Sequence, residues 1–131
     1  MPPARSWRKY PQTYRLEAAR CKKCGATYFP PRLICPECKG RDFETFRMKG
    51  TGKILTHTVV RTPAHEFAGQ APFAVGIVQM DDGPRLTVQI ADVDFAELRV
   101  GLPVRLEFRR IFCEGDSGII QYGHKAVPAR A

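Results

Sequence analysis

What this chain lacks narrows it first. No apolar run approaches the ~20 residues a membrane helix needs; the longest nearly apolar stretch, residues 71–78, is far shorter. The N-terminus is rich in Pro and Arg and has no apolar leader segment, so the cytoplasm is the expected compartment. Histidine is scarce, at three residues, and tryptophan scarcer, at one. There is no G-x-S-x-G elbow, no Walker loop and no paired-carboxylate constellation, so the sequence offers no ready nucleophile–base pair for a stand-alone hydrolase. At 131 residues, 44% hydrophobic and 26% charged, the chain is an ordinary globular protein. It fits one domain, or one small domain with an appendage.

Acidic residues are scarce in the first 50 positions: four, against twelve Lys or Arg. Residues 51–131 hold nine of each sign, so the whole net charge of +8 sits in the first segment. Such a segment suits a polyanionic partner or a phosphorylated cofactor. It also compensates a metal–thiolate centre: four thiolates and one Zn²⁺ sum to −2, which leaves about +6.

Four of the five cysteines stand in two C-x2-C knuckles, Cys21/Cys24 and Cys35/Cys38, ten residues apart. That spacing puts four sulfurs around one tetrahedral Zn²⁺. An iron–sulfur centre takes the same ligands; a disulfide pair is disfavoured in a reducing compartment. With all four ligands Cys, no open coordination position is left, so the site is structural rather than catalytic. Gly25 and Gly40 are placed to turn the backbone so that its N–H groups meet the sulfurs. Short strands are expected at 14–21, 27–30 and 43–48. Cys113, the fifth, reads as an inert thiol.

From Gly50 onward the pattern is alternating strands: 54–61, 73–80, 85–91, 103–112 and 119–125, with a helical turn within 92–100. Five short strands with a turn between the third and fourth match an OB-fold barrel; a six-stranded sandwich or another small barrel is the other solution. The inner face is expected from Val75, Ile77, Val88 and Leu106. Asp92 and Asp94 are expected to cap the helical turn. Gly50-Thr51-Gly52 reads as a hinge. Residues 1–20 show no helical stripe. The fold expected is therefore mainly β: an N-terminal extension (1–20), a rubredoxin-like zinc ribbon (21–49) and a five-stranded OB-fold domain (50–131).

The runs RCKKCGATYFPPRLICPECKG, GTGKILTHTVV, APFAVGIVQMDDGPRLTVQI and VGLPVRLEF together resemble one family across nearly the whole chain. This is the acyl-CoA-associated zinc-ribbon/OB-fold family, domain-of-unknown-function family 35. Trp7-Arg8, Pro11, Tyr14-Arg15-Leu16 and the C-terminal Gln121 to Lys125 with Pro128 are similar to its archaeal branch. The resemblance implies a non-catalytic subunit that bridges an acetoacetyl-CoA thiolase and a hydroxymethylglutaryl-CoA synthase in the mevalonate route. It also implies that the barrel helps to hold the acyl-CoA intermediate.

Candidates for CoA contact are Lys53, Arg61, Arg85, Arg109 and Lys125 for the phosphates, with Tyr122 as a stacking ring. A pantetheine channel is expected near 50–53 and 122–125. Trp7 and Tyr10 are candidate anchors for a partner enzyme. The competing reading is a nucleic-acid binder, since zinc ribbons and OB-folds also serve that purpose. The charge balance of zero in the barrel half weighs against it.

Overall fold

The computed structural model describes residues 3–113 and 115–129. Residues 1–2 of the expected extension, Glu114 of the expected hairpin loop and residues 130–131 lie outside them. Two short helices, α1 (Pro3–Arg8) and α2 (Tyr10–Arg15), come first. The absence of a helical stripe there was misleading. Pro11 sits in the first turn of α2, where its missing N–H costs nothing. Leu16 then ends the helix in a left-handed conformation, φ 52°.

Three strands follow: β1 (Glu17–Cys21), β2 (Thr27–Tyr28) and β3 (Phe43–Arg47), ordered β2-β1-β3 and antiparallel. The expected strand from residue 14 starts at Glu17, because Tyr14 belongs to α2. Five more make a closed barrel in the order β4-β5-β6-β8-β7: β4 (Thr51–Val60), β5 (Phe73–Met80), β6 (Arg85–Ile90), β7 (Pro103–Cys113) and β8 (Ile120–Pro128). This is the five-stranded OB arrangement, and the sandwich is excluded. A 3₁₀ turn (Phe95–Glu97) lies between β6 and β7, and a second one (His65–Gln70) between β4 and β5.

The barrel core is built from Ile54, Ala74, Val78, Met80, Leu86, Val88, Ile90, Val104 and Ala126. On β5 the inward residues are Ala74, Gly76, Val78 and Met80; Ile77 is 38% exposed and Val75 half-buried. This reverses the expected face. Phe73–Met80 is apolar almost throughout, and an unbroken run does not reveal its parity. Gly76 fixes it: a Cβ there would lie 2.7 Å from the Thr56 carbonyl oxygen. Val88 is buried and Leu106 packs against the core.

Leu16, Ala18 and Met48 from the first unit join the same core, so ribbon and barrel share one apolar junction. The expected hinge at Gly50–Gly52 is tied down instead. The Gly50 carbonyl accepts the Leu106 N–H at 2.7 Å, Thr51 Oγ1 donates to Asp81 at 2.7 Å, and Gly52 lies within β4. Asp82 accepts the Lys49 N–H at 2.7 Å.

Candidate metal centre and barrel seam

The two cysteine knuckles fold by one local rule. Cys21 N–H donates to the Ala26 carbonyl at 2.8 Å and Gly25 N–H to the Cys21 carbonyl at 3.0 Å. Cys35 repeats the pattern with Gly40 and Lys39, both at 2.9 Å. The residue four past the first cysteine is left-handed in each: Gly25 at φ 78°, Lys39 at φ 62°. Gly40 is therefore not the turning glycine of the second knuckle. Its role is close approach, since a Cβ there would meet Cys38 Sγ at 3.3 Å.

These turns aim backbone N–H groups at sulfur. Cys21 receives those of Cys24 and Lys23, and Cys35 those of Cys38 and Glu37. Tyr28 adds a hydroxyl at 3.5 Å from Cys35 Sγ. That hydroxyl is the largest cause pulling the Cys35 thiol down to about 6. Nothing in the spacing of the knuckles singles out Tyr28.

The four sulfurs lie within 4.8 Å of one another, and the Cys21–Cys38 and Cys24–Cys35 pairs are 3.5 Å apart. A tetrahedron of thiolates at a Zn–S distance of ~2.3 Å has edges of about 3.8 Å. The cluster therefore fits one structural metal ion.

The candidate CoA residues fall into separate groups. Lys53 and Arg85 flank Gln79 in register across β5, and Arg85 Nε donates to Gln79 Oε1 at 2.8 Å. Arg61 stands apart, exposed beyond the end of β4. Arg109 and Lys125 share one face of the β7–β8 hairpin, with Arg109 facing Gly123, while Tyr122, facing Arg110, lies on the other face. Arg109 is bound to Asp92 at 2.6 Å. Asp92 thus serves an ion pair rather than a cap, and Asp94 makes no side-chain capping bond.

Lys125 Nζ donates to Gln70 Oε1 at 3.3 Å, and Gln89 Nε2 reaches the same oxygen at 3.5 Å. Burial, then Arg109 and Arg110, lower the Lys125 pKa. Gln70 Nε2 donates to the Ile111 carbonyl at 2.7 Å. Gln70 therefore clasps β6, β7 and β8 together from outside.

On the inner side an aromatic group closes the barrel mouth. Phe108 and Tyr122 stack at 5.5 Å, 13° from parallel, and Tyr14 of α2 meets the Phe108 edge at 5.1 Å. His124 packs on Phe108, and its Nδ1–H donates to the Thr13 carbonyl at 2.9 Å. This satisfies one of the orphan carbonyls at the end of α2. Phe108, in phase with the buried Val104 and half-buried Leu106 on β7, is itself 47% exposed.

Beneath α2 lies a cavity of about 280 Å³, lined among others by Thr13, Leu16, Phe29, Val88, Tyr122 and His124. The expected stretch 122–125 contributes to it, while 50–53 does not. Trp7 is 70% and Tyr10 37% exposed, and both border a shallow apolar hollow of about 520 Å³ with Pro11 and Tyr14.

Fold and centre define a small class: a four-cysteine ribbon fused through one core to an OB barrel. The family descriptions "ChsH2, rubredoxin-like zinc ribbon domain" and "ChsH2, C-terminal OB-fold domain" match residues 8–44 and 46–109. A "DUF35 domain-containing scaffold protein" of Methanocaldococcus jannaschii is 42% identical over 95% of this chain and 89% of its own. "Benzoylsuccinyl-CoA thiolase subunit BbsA" of Thauera aromatica is 31% identical over 66% of this chain and 63% of its own. A solved "Ltp2-ChsH2(DUF35) aldolase" chain superposes with a TM-score of 0.72 at 27% identity, covering 97% of this chain and 94% of that one. The chain belongs to the DUF35 family.

Proposed function

We propose that this protein is a non-catalytic accessory subunit of an acyl-CoA enzyme complex. In the finer reading it bridges an acetoacetyl-CoA thiolase and a hydroxymethylglutaryl-CoA synthase in the cytoplasm. It holds the acyl-CoA as it passes between them. The observation that carries the reading is the near full-length likeness to a protein named as a scaffold. The names of the thiolase subunit and the aldolase chain support an acyl-CoA setting.

The division of labour follows from the chemistry. Residues 21–49 hold one structural Zn²⁺ on Cys21, Cys24, Cys35 and Cys38. Residues 50–131 offer the acyl-CoA surface: Arg109 and Lys125, with Lys53, Arg61 and Arg85 as outlying cations, and Tyr122 as a stacking ring. Residues 1–20 present Trp7 and Tyr10 to a partner; exposed aromatics concentrate binding energy at interfaces. Thiolase condensation is uphill, so direct hand-over keeps the free intermediate scarce.

The test is calorimetry with acetyl-CoA and acetoacetyl-CoA, on the chain alone and with the two enzymes. Binding without turnover, weakening as salt rises, is expected. The stacked Phe108 and Tyr122, with Arg110 opposite Tyr122, also favour a nucleic-acid ligand. Tighter binding to single-stranded DNA than to CoA esters would establish that reading instead. Trp7→Ala should weaken capture of the partner enzyme and leave the melting temperature unchanged. Unaltered capture would overturn the anchor role.

A further inference from the structure

The barrel is closed through its weakest seam. β6 pairs with β5 from Arg85 to Ile90, and β8 with β7 from Ile120 to Pro128. Between β6 and β8, which run parallel, the ladder has one rung among the described residues, Ile90 with Ala126. There the Ala91 N–H donates to the Ala126 carbonyl at 2.8 Å.

Backbone polar groups two residues apart point to the same strand edge. On β6 the groups of Thr87 therefore face β8. On β8 those of Tyr122 and His124 face β6. No strand takes them in the described structure. The cavity of about 280 Å³ lies along this gap, since Leu86, Thr87, Val88, Tyr122, Gly123 and His124 all line it.

Its chemistry is specific. Two strand edges offer N–H and C=O groups to an extended amide, as in strand addition. Leu86, Val88 and Phe29 make the walls apolar. The volume equals about nine water molecules at ~30 Å³ each, enough for a thin chain. The gap is shut at one end by the Ile90–Ala126 rung and bordered at the other by α2 and Phe29. A through-running peptide strand is thus disfavoured, and an arm entering end-on fits. Among the described residues no cation lines the cavity itself; the nearest basic residues are Lys125 on β8, joined to Gln89 of β6 through Gln70, and Arg109 and Arg110 one strand further out on β7.

We propose that the open β6–β8 seam seats the pantetheine arm of an acyl-CoA. Its amides add to the edges of β6 at Thr87 and of β8 at Tyr122 and His124, while the phosphates stay outside on the basic residues of β7 and β8. This deepens the acyl-CoA reading above and rests on it.

The experiment is backbone ¹⁵N NMR of the full chain, alone and with the partner enzymes. It uses three probes: S-acetylpantetheine, adenosine 3′,5′-bisphosphate and acetyl-CoA. The amides of Thr87, Tyr122 and His124 should shift with the first and third probes and not with the second. Gln12→Trp, which places a bulky ring from α2 into the cavity, should raise Kd for both pantetheine probes at least about tenfold. Its melting temperature should match the parent. If acetyl-CoA binds but shifts map elsewhere and Gln12→Trp leaves Kd unchanged, the seam is wrong and the acyl-CoA reading stands. If acetyl-CoA binds neither the chain nor the complex, both fall.

Discussion

Ribbon and barrel hold themselves together by different means. In the barrel, Ile54, Val78, Met80 and Val104 are almost completely buried, and apolar burial does the work. In the ribbon, Leu16 and Met48 are spent on the junction with the barrel, and the other buried apolar side chains are small: Ala18, Ala19, Cys21 and Cys35. Phe46, opposite Ala18 in register, lies under the guanidinium of Arg20, 4.5 Å from its ring. Four sulfurs and the N–H groups aimed at them do there what aliphatic packing does in the barrel. One chain thus concentrates its large apolar residues in one unit and leaves the other to metal chemistry.

Removing the metal should break the comparison most sharply. Structural Zn²⁺ contributes about 10–16 kcal/mol in small zinc domains. Cys24→Ser, or chelation, should abolish amide protection in β1–β3 and leave that of β5 and β6 intact by hydrogen exchange. Loss of protection in both units together would show a single cooperative fold. The converse variant, Ile54→Ala, removes a fully buried barrel side chain. It should cost about 2–5 kcal/mol in denaturant unfolding, with the metal content unchanged.

The junction between the units should respond to pH. Burial first, then Arg47, holds His124 below its ordinary pKa, against the pull of the Thr13 carbonyl and Glu107. A base whose native pKa is lowered takes its proton more readily when unfolded. Its contribution is therefore present above about pH 6.5 and lost as pH falls through that value toward the lower native one. The slope should stay below about 1.4 kcal/mol per pH unit, and His124→Gln should flatten it. The smallest effect belongs to Lys39, left-handed where the first knuckle has Gly25. Lys39→Gly should stabilise the ribbon by about 1 kcal/mol, read as a raised metal-release midpoint.

Period and punctuation made the barrel strands legible: Phe73–Met80 was placed at both ends, and the others lay within a few residues. Spacing made the four cysteines legible. The parity of β5 was not, because its run is apolar on both faces and the deciding residue, Gly76, has no side chain. The helices of the extension were hidden because they are too short to show a stripe. They hold by tertiary contacts instead, Ser6 with Gln121 and Thr13 with His124. The seam was hidden too. Gln70, Gln89 and Lys125 meet across 55 residues of sequence, and no local pattern marks a gap between two strands that only topology makes neighbours.

The central claim, that this subunit joins two acyl-CoA enzymes, is tested most directly by sedimentation of the purified chain with its host's thiolase and hydroxymethylglutaryl-CoA synthase. One three-component species, absent when any member is omitted and weakened by Trp7→Ala, is the expected result. Two enzymes that associate equally well without this chain, or a chain that binds neither, would contradict it.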